Sequence, residues 1–202
     1  MQWTITRRLK VAVETIPSRL GQPISIVEFD ALPCDNSHRY EIENGLLLVS
    51  QRPTSRVSRA INRLLIQLDS QLPEEWEAFA GIEAELTGKS PRRVPDVVVA
   101  PVDIDDQPRI RSDQIALAVE IATSGESAVR DYSIKAGEYA ANRIAHYWVI
   151  DLIDTESVGL TIYTLDDTGE YRITPRATGT VHVPEPFPLT IDLNALTGRR
   201  TR

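Results

Sequence analysis

Two kinds of apolar spacing alternate along the chain. Val57, Ile61, Leu64, Leu65 and Leu68 recur at helical intervals, which predicts an amphipathic helix opening at Pro53-Thr54-Ser55 and running to about Ser70. Arg56, Arg59 and Arg63 fall on its opposite side. Elsewhere the apolar residues run without interruption, in Arg93-Val94-Pro95-Asp96-Val97-Val98-Val99-Ala100 and in Ile115 to Ala122, as strands buried on both faces do. Arg39 to Glu43 and Leu46 to Val49 flank Asn44-Gly45, a strong signal for a type I′ hairpin. Ser25 predicts the cap of a short helix through Phe29-Asp30. A third strand is expected over Ala78 to Leu86, before the Gly88-Lys89-Ser90-Pro91 turn, and a polar loop over Asp103 to Asp113. A second helix is expected from Asp131 to about Asn142, then a strand over His146 to Asp151. Leu160 to Tyr163 and Tyr171 to Ile173 predict a closing hairpin around Asp167-Thr168-Gly169.

Residues 1–24 read as an N-terminal extension with a helix around Thr6 to Ile16, broken by Pro17 and Gly21-Gln22-Pro23. Residues 25–175 carry the alternating elements, and 176–202 form a C-terminal segment whose Arg199-Arg200-Thr201-Arg202 end is expected to be disordered. With no internal repeat and no low-complexity linker, the pattern predicts one α/β or α+β domain.

Composition narrows the class. The 202 residues are 42% apolar and 25% charged, as in ordinary globular domains. No apolar stretch approaches the ~20 residues of a membrane span, and no apolar core follows the basic start that a signal peptide would need. A single cysteine, Cys34, cannot form an internal disulfide, which fits the cytoplasm. That cysteine and the scattered His38, His146 and His182 make no zinc-type cluster, so any metal would have oxygen ligands. The net charge of −7 weighs mildly against nucleic acid, yet Ser50 to Leu68 holds four arginines and no acid.

Candidate chemistry begins at Glu120, a lone carboxylate in an apolar strand. A buried ionised carboxylate requires a partner or a metal. Period-two alternation puts it on one face with Ala116, Ala118 and Ala122, small residues that leave room for an approaching group. Asp96 stands at the start of the other apolar strand, facing with Val94 and Val98. If the strands are neighbours, the two acids converge on one hard cation, Mg²⁺ or Mn²⁺. On the following helix Tyr132, Lys135, Ala136, Tyr139 and Ala140 share one arc, so Lys135 is a cation in an apolar face. A lysine beside metal-holding acids can orient or deprotonate a water, or neutralise charge developing on a phosphate.

Pro95-Asp96 followed by Glu120-Ile121-Ala122 resembles the PD-(D/E)XK nuclease signature, with Ala122 at the usual lysine place. More closely, the chain resembles the Uma2 family, which groups with those nucleases. The matching pieces are Arg39-Tyr40-Glu41 with Asn44-Gly45, Arg93 to Val97, Val119-Glu120-Ile121, Asp131 with Lys135 and Tyr139, and Tyr147-Trp148 with Asp151. The resemblance implies a restriction-endonuclease-like α/β fold, a mixed central sheet flanked by helices. It implies Asp96, Glu120 and Lys135 as catalytic residues, with the lysine supplied by the helix. Asp96, Glu120 and the Ile121 carbonyl would hold Mg²⁺, or Mn²⁺ in its place, and Glu41 would be an additional acid. It also implies an endonuclease acting on nucleic acid, DNA by expectation, as a homodimer. Two departures stand out: Val57 falls where the family often has a histidine, and Thr123-Ser124-Gly125-Glu126-Ser127 replaces the turn after the glutamate.

Bland readings compete at each position. Asp96 could turn the chain, Glu120 could pair with a buried arginine, Lys135 could snorkel outward, and Glu41 could pair across the hairpin. Asp131 reads more simply as a helix N-cap, and Tyr139, Tyr147 and Trp148 as core. Arg56, Arg59 and Arg63 read as a solvated face or as phosphate contacts. Arg92 and Arg93, beside Pro95-Asp96, are the stronger candidates for touching substrate. The rival functions are a non-cleaving binding or regulatory module on the same fold and a small-molecule phosphohydrolase.

Overall fold

The computed structural model describes residues 20–33, 38–104, 106–123, 125–154 and 157–198. The expected helix at Thr6 to Ile16 and the Arg199 to Arg202 tail lie outside the described residues.

Helix α1 (Ile26–Asp30) starts as its sequence dictates. Ser25 caps it and Glu28 reaches back to the Ser25 N–H, closing a capping box. Strands β1 (His38–Glu43) and β2 (Leu46–Gln51) form the hairpin, with Asn44 and Gly45 at positive φ as a type I′ turn needs. Helix α2 (Ser55–Asp69) follows, capped by Thr54. The strand expected over Ala78 to Leu86 is two strands, β3 (Trp76–Ala80) and β4 (Ala84–Glu85), because Gly81 at φ 67° breaks the extended path. The Arg93 to Ala100 run is also split, into β5 (Arg92–Arg93) and β6 (Val97–Pro101). The polar loop before Glu120 contains β7 (Ile110–Arg111), and β8 (Leu117–Ala122) carries the glutamate.

The second helix begins earlier than expected. It runs as α3 (Gly125–Val129), a π-helical turn (Arg130–Lys135) and α4 (Ala136–Ala141). Then come β9 (His146–Asp151), β10 (Gly159–Leu165), β11 (Tyr171–Ile173), β12 (Ala177–Thr178), β13 (Thr180–Val183), β14 (Leu189–Asp192) and α5 (Leu193–Thr197).

The main sheet has the order β11-β10-β9-β8-β6-β3, with β12 also on β10. Only β8 and β9 are parallel, and the α3–α4 crossover joins them. On one face Val97, Val99, Leu117, Val119, Trp148 and Ile150 meet the α2 stripe, and β13, β14 and α5 close the same core. On the other face Val98, Ala118, Ala122, Tyr147 and Val149 meet Ala136 and Tyr139 of α4. The alternation read from the sequence is thus the division between the two cores. A small sheet, β5-β4-β7, and the β1–β2 hairpin over its own cluster of Ile24, Phe29, Ile42 and Leu47 complete the described chain. None of the described helices is long and apolar enough to cross a membrane.

Candidate active site

Strand β6 runs antiparallel to β8, with Val97 opposite Val119. Continued one step, that register sets Asp96 opposite Glu120, so the two acids meet at one end of two interior strands of the sheet. Asp96 stands where the chain passes from the small sheet into the large one, after Pro95. Its Oδ2 accepts the Ile121 N–H at 2.8 Å, and its Oδ1 accepts from Arg39 Nη1 at 2.8 Å.

Glu120 points to the α3–α4 side, into the space its alanine neighbours leave. Its Oε1 accepts from the Tyr139 hydroxyl at 2.8 Å and stands 2.8 Å from Lys135 Nζ. Lys135 lies also 3.7 Å from Glu41 and 3.8 Å from Asp131. The lysine does not snorkel; it is 4% exposed and turns into the cleft.

The hairpin contributes by its own period. Tyr40 and Ile42 pack in the cluster beneath it, while Arg39, Glu41 and Glu43 project from the other face. Arg39 meets Asp96, Glu41 accepts the Val94 N–H at 2.9 Å, and Glu43 takes Arg93 and Arg130. Glu41 therefore stands among the site acids, not in a cross-hairpin pair.

Asp131 is not an N-cap, because its helix starts six residues earlier at Gly125. It is buried in the π-helical turn and faces the cleft with Lys135. A π turn leaves main-chain carbonyls without their usual α-helical donors, and tyrosines supply them. Tyr147 donates to the Asp131 carbonyl at 2.7 Å and Tyr163 to that of Tyr132 at 3.1 Å. Tyr139 and Tyr147 are core residues that also hold the site, whereas Trp148 is core of the opposite face.

The arginine expectations fare differently. Arg92 is buried among Asp30, Glu83 and Glu85, and Arg93 is fully buried in a bidentate pair with Glu138 and a contact to Glu43. Neither presents a face to substrate; the split between β5 and β6 turns both away from Asp96. Arg63 donates to the Ala195 and Gly198 carbonyls, capping the end of α5. Arg56 and Arg59 do not line the cleft. The cations that do are Arg39, Arg52, Arg130 and Lys135. Among them Lys135 was singled out from sequence, Arg52 is one of the four arginines of the Ser50 to Leu68 run, read with the α2 stripe as possible phosphate contacts, and Arg39 had its family match as the one signal. Val57 and Thr123, the two departures from the family pattern, also line this cleft of about 240 Å³.

Electrostatics follow from burial and the excess of acid. Burial pushes Glu120 up to about 8; Lys135 opposes this, while Asp96, Asp131 and Glu41 add to it. Burial likewise pushes Asp131 up to about 6 against Lys135. Burial would raise Glu41 too, but Lys135, Arg93 and the Val94 N–H outweigh it and hold that acid below its ordinary value. Burial works against the Lys135 charge, yet Glu120, Glu41 and Asp131 prevail and raise its pKa, so the amine is a firmly held cation.

The donor set suits a divalent cation. Arg39 pairs with Asp96, and Lys135 stands against Glu41, Glu120 and Asp131, so the acids outnumber the cations in direct contact with them. The Ile121 carbonyl points toward β6, as its N–H does, and meets Pro95, which has no N–H to offer. Among the described residues no three His, Cys, Asp or Glu groups could hold a metal by themselves. Two carboxylates, a carbonyl and waters would be the ligand set, which is usual for Mg²⁺.

Comparison with known proteins bears on the family and the fold. The family model Uma2, described as "Putative restriction endonuclease", matches residues 26–195. A crystal structure of "a putative nuclease belonging to DUF820" from Anabaena variabilis ATCC 29413 superposes with a TM-score of 0.64 at 17% identity, covering 87% of this chain and 98% of that one. At that identity the likeness is one of fold. No curated protein matches the chain.

Proposed function

The chain belongs to the Uma2 family of restriction-endonuclease-like proteins, and from that premise we propose that it hydrolyses nucleic-acid phosphodiester bonds with Mg²⁺ or Mn²⁺, DNA being the first substrate to test. The observation that carries this reading is the reach of Lys135: from the helix it arrives 2.8 Å from Glu120, supplying the cation that Ala122 does not. Asp96 and Glu120, with the Ile121 carbonyl, would hold the metal. When bound, it would polarise the phosphoryl oxygen and lower the pKa of a water.

The chain's own residues do the rest. Lys135, held protonated by three acids, acts as a donor: it orients the attacking water and neutralises charge on a non-bridging oxygen. It does not deprotonate. Asp131, at about 6, is the cleft carboxylate suited to accept the water's proton near neutral pH. Tyr139 fixes the Glu120 carboxylate, and the Ile121 N–H fixes Asp96. Arg39 must release Asp96 Oδ1 before that oxygen can take a metal.

The last point favours one rival, a non-cleaving module whose acids are closed by Arg39 and Lys135. Cleavage of mixed single- and double-stranded DNA and RNA with Mg²⁺ or Mn²⁺ separates the two. The expected result is cutting that EDTA and Lys135→Ala both abolish. Equal cutting by wild type and variant would refute the assignment, and unchanged Mn²⁺ binding in Asp96→Ala would remove the metal site.

A further inference from the structure

A second cavity, about 370 Å³, lies beside the cleft, not within it. The two share Arg39, Arg52 and Pro53 as walls. Arg39 is the partition: its guanidinium holds the Val94 carbonyl at 3.2 Å and Asp96 Oδ1 at 2.8 Å. Part of the cavity is apolar and aromatic, with Phe29, Leu32 and Tyr40. Asp30, Glu83 and Arg109 add a polar side, with Arg109 bonded to both acids.

Neither the phosphate reading nor the metal reading uses this space. An aromatic wall beside carboxylate acceptors and guanidinium donors suits the flat face and polar edge of a nucleobase, a purine above all. The depth of the cleft points the same way. Asp96, Glu120 and Lys135 are only 2–6% exposed, out of easy reach of a backbone that stays on the outside of a paired duplex.

We propose that this cavity receives an unpaired nucleobase next to the scissile phosphate, so that the substrate is a single strand or a nucleotide everted from a duplex. The proposal rests on the nuclease reading of the cleft. Tyr40 stacks on the base, Asp30, Glu83 and Arg109 meet its edge, and Arg39 lies between the base and the phosphate.

The test is fluorescence anisotropy with short labelled oligonucleotides in EDTA, where binding is read without cleavage. A single strand is compared with the matched duplex and with a duplex carrying one unpaired base. The expected result is at least tenfold tighter binding of the single strand and of the unpaired base than of the matched duplex. Tyr40→Leu should lose about tenfold on those two probes and nothing on the matched duplex, while Tyr40→Phe behaves as wild type. Arg109→Met, at the half-exposed polar edge, should act in the same direction and serves if Tyr40→Leu does not fold. Equal affinity for all three probes, or losses shared equally among them, overturns the proposal. A protein with this preference that does not cut with Mg²⁺ retains the base pocket and overturns the nuclease reading alone. One that cuts matched duplex and single strand alike, with Tyr40→Leu unaffected, does the reverse.

Discussion

Glu120→Gln isolates the electrostatic cost of the site. With its carboxyl pushed from the ordinary 4.5 to about 8, the folded chain holds a proton that the unfolded chain has released. At about 1.36 kcal/mol per pH unit, the full interval is worth about 4 to 5 kcal/mol. This share is fully present below about 4.5 and is lost as pH rises through about 8, so the metal-free protein becomes less stable toward alkaline pH. Asp131 acts in the same sense, but most of its change is complete near its value of about 6. Glu41, lowered, acts oppositely, stabilising above the ordinary carboxylate value and losing that share only as pH falls below it. The window from pH 6 to 8 therefore belongs chiefly to Glu120, and its share there is roughly 2 to 3 kcal/mol. Solvent screening does not reduce it, because Glu120 is 2% exposed. The assay is urea unfolding in EDTA at several pH values for wild type and variant. Wild type should lose stability across the window and the amide, a neutral stand-in for the protonated acid, should not. Saturating Mg²⁺, which selects the ionised form, should flatten the wild-type slope. Parallel wild-type and variant curves between pH 6 and 8 in EDTA would refute the reasoning.

Lys135→Met should cost about 3–5 kcal/mol at pH 8, because Glu120, Glu41 and Asp131 lose their common cation; the loss should shrink at pH 5, and a pH-independent loss in chemical denaturation would contradict it. Arg39→Gln should tighten Mn²⁺ binding several-fold in calorimetry by freeing Asp96 Oδ1; unchanged affinity would show that Arg39 does not compete with metal. Arg63→Ala should cost about 1–2 kcal/mol through the lost bonds to the Ala195 and Gly198 carbonyls, with oligonucleotide affinity unchanged; a stable variant with weakened binding would restore Arg63 as a phosphate contact. Tyr147→Phe should cost about 1–3 kcal/mol by leaving the buried Asp131 carbonyl without its donor, and a wild-type melting curve would show that the π turn does not depend on it.

Legibility along the chain followed the range of the interactions involved. The hairpin at Asn44-Gly45, the Ser25 capping box and the α2 stripe are local devices, each written within a few residues, and each is present. Strand limits were less legible where one residue interrupts an otherwise extended run, as Gly81 does between β3 and β4. The π turn left no mark that periodicity could detect, since the donors to its Asp131 and Tyr132 carbonyls, Tyr147 and Tyr163, come from two later strands. The arginines misled for a similar reason. A cation's sequence neighbours do not reveal which acceptor will hold it: Arg92 and Arg93 found carboxylates, and Arg63 main-chain carbonyls, 30 or more residues away among their contacts.

What the sequence determined by itself was the alternation that put Glu120 among alanines, the helical arc that kept Lys135 with Tyr139, and the order of strands and helices that makes a mixed sheet. These are period and propensity, properties of the chain one segment at a time. Only the tertiary structure decided that β6 lies antiparallel beside β8, that Lys135 reaches Glu120, and that Arg39, Glu41 and Asp131 join them. Burial is what makes those decisions chemical. Four acids gathered with Arg39 and Lys135 away from water in one cleft shift each other's protons, and no segment of the sequence carries that sum on its own.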